Sequence, residues 1–480
     1  MKDKSDMKPA TDKPEIHRAN KRRVLRTLRC KNRNIIGTLA NLISTISATG
    51  TDIGIVRTVA MGEVYNIRDI SIIANDDDHL QHVLDKVRGV PNVELIQVID
   101  EVLDRHQGGK IRVVPTYPVE SQEDLQKVYT PGVAQVSIMI KQDLNEAMNY
   151  TSIPKNVALV TNGSRVLGLG NMGPVPSMPV MEGKAALFSQ FTGLNMVPIL
   201  LSTRDPKKFV ETVVEIASGF SAIQMEDIEA PACFEIEEEL IKRLDKPVMH
   251  DDQHGTAVVV LAAAINACRL TGRNLKDLVI GQLGLGAAGC AIANLMATYV
   301  GHPVFGSDLS AEARNRFEAQ GGKICEMQDI LKNCELVVST TGRRGLIKPE
   351  MIRKGQIILA LSNPYPEISV QDALDAGASF AADGTRVNNL LGYPGIFKGA
   401  LDVRASRITK AMLLAAADAI ANAAPDRDLV PSAIDPKLHE QVAAAVAAEA
   451  VRSGVARIPV ESYYHKSKDI FVPQPKLKTL

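Results

Sequence analysis

Hydrophobic and polar positions along the chain follow two rhythms, and the switches between them mark out elements. Val24-Leu25-Arg26-Thr27-Leu28 alternates with the period of two of a strand. Residues 35–48 carry apolar side chains at helical spacing. Residues 53–59 and 67–73 return to strand patterning, 79–88 to helix and 93–99 to strand. Residues 104–118, with Gly108-Gly109 and two prolines, form a linker. Residues 119–253 mix helices with apolar strands at 157–160 and 197–201. From Gly255 onward strand and helix alternate, with buried strands at 278–283, 304–306, 336–339 and 356–361 and Ala-rich helices after Ala411. That alternation predicts an α/β fold with a parallel sheet.

The order βαββαβ over residues 20–104 predicts a ferredoxin-like unit. This segment resembles the ACT family of small regulatory domains. The turn Asn34-Ile35-Ile36-Gly37-Thr38-Leu39 stands where such domains place a glycine beside their ligand. The resemblance implies a small-metabolite effector and pairing between copies; an assembly module without a ligand is the other reading. The expected division is a disordered tail over 1–17, rich in Pro, Lys and Asp, an ACT-like domain over 18–105, a substrate and metal domain over 106–254, and a dinucleotide domain with a helical tail over 255–480.

Composition narrows the partners. The chain has 480 residues, 45% hydrophobic and 23% charged, with 55 Lys+Arg against 55 Asp+Glu. A zero net charge gives no reason to expect nucleic acid or an anionic membrane. The longest apolar run, 257–268, is too short to span a bilayer and predicts a buried helix. Six cysteines without a Cys-x-x-Cys pair point to reduced thiols in a cytoplasmic protein.

Gly-x-Gly-x-x-Gly occurs twice. The copy Gly284-Leu285-Gly286-Ala287-Ala288-Gly289 follows an apolar strand and precedes a helix predicted over 291–300, and a second strand ends at Asp308. Glycines there let backbone approach a pyrophosphate, the helix N-terminus supplies donors, and the acid binds ribose hydroxyls. Asp308 favours NAD because it would repel a 2′-phosphate; Arg314 and Arg316 nearby leave NADP open. The other copy, Gly168 to Gly173, is followed by Pro174, Pro176 and Pro179. Those prolines predict a loop on the substrate side rather than a helix.

Glu226-Asp227 ends an apolar run, and Asp252 lies 25 residues beyond Asp227. Adjacent residues of a strand face opposite ways, so both acids converge only at a strand end or in a loop. Three carboxylates suit Mg²⁺ or Mn²⁺; solvated surface charge is the alternative on spacing alone. His250 and His254 have the spacing of a zinc pair, but Asp251 stands where a His-Glu-x-x-His motif needs Glu, so they are expected to position a loop.

Residues 106–420 resemble the malic enzymes of the short bacterial type. The strings that carry the resemblance are Tyr129 to Ala134, Val166 to Pro174, Pro179 to Ala185, Glu226 to Pro231, His250 to Thr256, Ser362-Asn363-Pro364 and Asn388-Asn389. It implies oxidative decarboxylation of (S)-malate with NAD or NADP by a homodimer or higher homo-oligomer. Tyr129 is then the acid that protonates C3 and Lys184 the base. Asp251 tunes Lys184, while Glu226, Asp227 and Asp252 hold the metal. Arg165, Asn363 and Asn389 bind malate. Asn162 departs from the family, many of whose members carry Asp there. Three alternatives are a malolactic conversion to lactate, an ACT-regulated amino-acid dehydrogenase, and a non-catalytic sensor.

Overall fold

The computed structural model describes residues 23–166 and 168–459; the expected tail over 1–17 lies outside them. The chain divides between Lys110 and Ile111 into two compact units.

The first unit has strands β1 Val24–Arg33, β2 Asp52–Met61, β3 Tyr65–Ala74 and β4 Val93–Ile99, with helices Thr38–Ser47 and Asp77–Arg88. The strands form an antiparallel sheet in the order β2-β3-β1-β4, the ferredoxin-like arrangement. Alternation sorts the two faces of β1. Leu28 and Cys30 join Leu42, Ile46, Ile70, Ile72, Val83 and Val87 in the core. Arg29, on the other face, pairs with Asp69 through two bonds of 2.8 Å, and Thr27 bonds Ser71 at 3.0 Å. The Gly37 turn is left-handed, with φ +90°, and opens helix Thr38–Ser47.

The second unit contains two parallel sheets. Strands β5 Asn156–Thr161, β6 Asn195–Leu200, β7 Ala222–Met225 and β8 Val248–His250 stand in the order β6-β5-β7-β8. Strands β9 Ile280–Leu283, β10 Phe305–Ser307, β11 Lys323–Ile324, β12 Leu336–Ser339, β13 Ile357–Ala360 and β14 Phe380–Asp383 stand in the order β11-β10-β9-β12-β13-β14. That is the order of a dinucleotide-binding fold, whose ligand crevice opens where the winding reverses between β9 and β12.

Two local expectations are corrected. The prolines behind Gly173 do not prevent a helix: one runs over Pro174–Thr192. The first N–H groups of a helix have no internal acceptor, so Pro174 and Pro176 sacrifice nothing at its start, and only Pro179 lies within it. The histidines do not sit in a loop either. A helix runs over Asp251–Leu270, with His250 as its N-cap and His254 in its first turn. Its acids lie at the N-terminus, where the helix dipole favours them.

Helix Asp251–Leu270 is buried along most of its length and packs on Ala287–Val300 and Lys410–Ala423. Helix Tyr393–Asp402 lies so close to Pro436–Arg452 that a Cβ on Gly399 would stand 2.3 Å from the Ala443 carbonyl oxygen. Among the described residues no helix is long and apolar enough to cross a membrane.

This close approach yields a stability prediction. Gly399→Ala should destabilise the second unit by about 1–3 kcal/mol, the usual cost of overpacking, in urea denaturation. Gly219→Ala, whose Cβ meets nothing within 4 Å, should leave the midpoint where it is. Equal midpoints for the two variants would contradict the packing described.

Candidate functional site

The acidic cluster follows from strand register. β7 and β8 are parallel neighbours with Met225 opposite His250. Glu226-Asp227 and Asp251-Asp252 therefore leave the same sheet edge side by side, and the 25-residue spacing is the offset between the strands. At Asp227 the backbone takes φ +54°, which turns the chain out of the strand. The Asp227 N–H donates to Asp252 Oδ2 at 2.9 Å. One carboxylate oxygen from each of Glu226, Asp227 and Asp252 lies within 4.8 Å of the others. Glu226 and Asp227 are buried, while the Asp252 side chain is 34% exposed and leaves an open side. Oxygen-only donors held this close fit a hard divalent cation better than solvated surface charge.

Lys184 projects from helix Pro174–Thr192 into this cluster. Its Nζ lies 3.0 Å from Glu226 Oε1 and makes a short hydrogen bond to Asp251 Oδ2. Asn389 Nδ2 donates to the same Asp251 oxygen at 2.7 Å. Burial opposes charge on Lys184, but Asp251 and Glu226 outweigh it and hold the ammonium well above the ordinary lysine range. Burial pushes the Glu226 carboxyl well up. Lys184 offsets that only in part, because Asp252, Asp251 and Asp227 add like charge. Burial likewise raises Asp251 despite its bond to Lys184. Gly255 makes room for this pair, since a Cβ there would collide with the Asp251 carboxylate.

Beneath the cluster lies a carboxylate that the sequence reading missed. Glu237 is 7% exposed and accepts from the His250 N–H at 2.7 Å, Gln253 Nε2 at 3.0 Å and His254 Nε2 at 3.0 Å. Burial raises the Glu237 pKa, but His254 and His250 lower it further and leave it below the ordinary range. Its signal was present: Cys233, Ile236, Glu237 and Leu240 form the buried stripe of helix Ala232–Arg243. His254 thus serves Glu237, and among the described residues the side chains close enough together to hold a metal are the three acids, with no histidine. The His250 ring is fully buried, with Nε2 3.5 Å from Asp252 Oδ2, and burial lowers its pKa.

The remaining predicted residues are placed as follows. Arg165 is exposed, and its N–H donates to the Asp227 carbonyl at 3.1 Å, which puts it beside the cluster. Asn162 receives the Ser164 N–H at 3.1 Å and hydroxyl at 2.7 Å and donates to the Thr203 carbonyl at 3.2 Å. That last bond needs an amide, so the departure from Asp is locally satisfied. Asn363 donates to the Gly384 carbonyl at 3.3 Å. A Cβ on Gly168 would stand 3.1 Å from the Asn363 carbonyl oxygen, so the 168–173 loop lies against Asn363. Tyr129 ends helix Gln122–Val128 and is 66% exposed. Its side chain makes no hydrogen bond or ion pair with Lys184, whose neighbours are Asp251, Glu226 and Tyr393.

The dinucleotide crevice is formed by the loop after β9. Gly284, at φ +85°, approaches β12's exit so closely that a Cβ would lie 2.9 Å from the Thr340 carbonyl oxygen. On Gly289 a Cβ would collide with the Gly284 carbonyl, whereas on Gly286 it would meet nothing within 4 Å. The helix starts at Ala287, earlier than the predicted 291, so Ala287 and Ala288 present its free N–H groups to the crevice. Asp308 Oδ2 accepts from the Leu285 N–H at 2.6 Å and Oδ1 from the Ser310 N–H at 2.8 Å, which fixes the acid beside the loop. A second missed carboxylate braces the opposite wall. Glu367, fully buried, accepts from the Thr341 N–H at 2.6 Å, Thr341 Oγ1 at 2.8 Å and Ser362 Oγ at 2.6 Å. It ties the loop after β12 to the loop after β13, which carries Asn363.

The chain is similar to known proteins along most of its length. The profile of the malic enzyme N-terminal domain matches residues 108–241, and that of the malic enzyme NAD binding domain matches 353–455. An NAD-dependent malic enzyme 1 of Bacillus subtilis is 49% identical over 88% of this chain and 97% of its own length. A bifunctional malic/malolactic enzyme of the same organism is 40% identical over 75% of this chain and 95% of its own. The crystal structure of a malic enzyme from Pyrococcus horikoshii superposes with a TM-score of 0.72 at 38% identity, covering 77% of this chain and 94% of that one. With its carboxylate cluster, its buried lysine and a relative of this identity matched over nearly its whole length, the chain belongs to the malic enzyme family.

Proposed function

We propose that the protein catalyses the NAD-dependent oxidative decarboxylation of (S)-malate to pyruvate and CO₂. The observation that carries this reading is Lys184, buried between Asp251 and Glu226 at the rim of the three-carboxylate cluster. Lys184, in its uncharged form, takes the proton from the C2 hydroxyl as hydride leaves C2 for the nicotinamide, and the ammonium so formed is the state that Asp251 and Glu226 favour. Asp251, held in turn by Asn389, keeps the amine at that hydroxyl. The C3–C4 bond then breaks, C4 departs as CO₂, and its electron pair passes to C3, where Tyr129 delivers a proton. Glu226, Asp227 and Asp252 would hold a Mg²⁺ or Mn²⁺ ion, which supplies positive charge for the C2 oxygen through both changes. Arg165 and Asn363 bind malate carboxylates, and Glu367 keeps the Asn363 loop in place. In an amino-acid dehydrogenase the three clustered acids would have no task.

NAD is favoured over NADP because Asp308 is fixed beside the glycine loop. Arg314 is the group that would admit NADP: its Nη1 donates to the Asp308 carbonyl at 2.7 Å. A malolactic activity is the second reading, favoured by the similarity to the bifunctional enzyme.

Two further proposals concern assembly and regulation. Residues 111–155 contain no buried side chain and expose Val113, Tyr117, Val128, Tyr129, Leu144 and Tyr150. A second copy of the chain is the proposed cover, and the work of Tyr129 is tied to that assembly. Residues 23–110 carry none of the proposed catalytic groups, and an effector near the Gly37 turn is proposed to act through subunit arrangement.

Malate, Mn²⁺ and NAD should give reduced NAD and pyruvate in equal amounts, with a higher kcat/KM than NADP gives. Lactate without accumulating reduced cofactor would move the assignment to malolactic chemistry, and a higher kcat/KM with NADP would reverse the cofactor preference. The base and acid should also separate. Lys184→Ala should abolish hydride transfer from malate, while Tyr129→Phe should retain oxaloacetate reduction and slow pyruvate formation. Equal failure of both variants in every partial reaction would refute the division of roles.

A further inference from the structure

Lys184 is gripped from a side that no proposed catalytic residue occupies. Its Nζ lies over the ring of Tyr393, 4.7 Å from the centroid. The Tyr393 hydroxyl donates to the Lys184 carbonyl oxygen at 3.1 Å, so one residue touches both ends of the lysine. Tyr393 is 1% exposed and stacks on Phe188, one helical turn beyond Lys184, with centroids 6.3 Å apart and planes 11° from parallel. Its helix cannot drift, because a Cβ on Gly395 would stand 2.6 Å from Val442. Four residues earlier, Asn389 holds Asp251. The short segment 389–393 therefore takes hold of the carboxylate with an amide and of the amine with a ring.

We infer that Tyr393 is a positioning residue for Lys184: its ring face fixes where Nζ stands, and its hydroxyl anchors the backbone from which the side chain extends. The inference rests on Lys184 being the base of the proposed reaction. A lysine side chain has four flexible carbons, and Asp251 and Glu226 restrain it only from the carboxylate side. A desolvated aromatic face attracts a cation from the other side, which an aliphatic side chain of similar volume does not. The signal in the sequence was faint, since a tyrosine before proline at a helix start reads as ordinary core.

The test replaces the ring in graded steps in the full-length enzyme with Mn²⁺. Tyr393→Phe keeps the ring face and should keep kcat within about threefold of wild type, losing one neutral hydrogen bond. Tyr393→Met fills the space without a face and should lower kcat roughly 5- to 30-fold, the worth of a buried cation–ring contact. KM for malate and for NAD should hardly move in either variant. A series of progressively fluorinated phenylalanines at 393 preserves shape while draining the ring face of charge, and kcat should fall with each fluorine. This series decides the matter even where Tyr393→Met fails to fold. A flat fluorine series, a Tyr393→Met enzyme that matches Tyr393→Phe, or an effect confined to KM would overturn the inference. Lys184→Ala in the same assay separates the two claims: an active Lys184→Ala enzyme refutes the base assignment, whereas an inactive one beside a flat series refutes the role of Tyr393 alone.

Discussion

Four carboxylates leave one sheet edge and one lysine reaches them from a helix, and the rest of the second unit is arranged around the cost of keeping them together. Glu226, Asp227 and Asp251 are buried, and burial penalises each charge. Lys184 compensates for two of them by direct contact. The other two acids, Asp227 and Asp252, are joined through a backbone N–H and stand within metal-ligating reach of Glu226. Such a site is a poor way to stabilise a fold. It is a good way to hold a cation and an amine at fixed places beside a reacting hydroxyl.

Rigid elements on all sides hold this arrangement. Parallel pairing of β7 and β8 sets the two acidic pairs abreast. Glu237 fixes the entry to helix Asp251–Leu270 through His250, Gln253 and His254. Gly255 gives the Asp251 carboxylate its space. The segment 389–393 reaches in from the C-terminal helices. At the dinucleotide crevice Glu367 performs a similar service by joining the loops after β12 and β13. Buried carboxylates that each accept several hydrogen bonds thus brace both halves of the site.

The elements were legible wherever patterning was strong. The βαββαβ order of the first unit and the principal strands β9, β10, β12 and β13 stand close to where alternation and apolar runs put them. The two-residue strand β11 and the strand β14, which contains Asp383, gave no comparable signal. Prolines after Gly173 misled, because their cost depends on whether an N–H was needed, and at a helix start it is not. Glu237 was readable from its place in a buried stripe but was hidden among neighbouring acids. The contacts of Tyr393 and Glu367 were not readable, because they join segments 209 and 26 residues apart and only the tertiary fold brings those together. Tyr129 stands on a stretch without buried side chains, so no packing pattern marked its place in advance.

The clustered carboxylates repel one another, and the proposed divalent cation would relieve that repulsion on binding. Thermal unfolding with chelator and with Mn²⁺ tests it directly, because a ligand that binds the folded state alone raises its stability by mass action. Mn²⁺ should raise the unfolding temperature of the wild-type protein, and Asp252→Asn, which keeps an oxygen for the Asp227 N–H, should lose most of that rise. An Asp252→Asn protein that gains as much from Mn²⁺ as the wild type, or a wild type that gains nothing, would show that these carboxylates do not hold the cation.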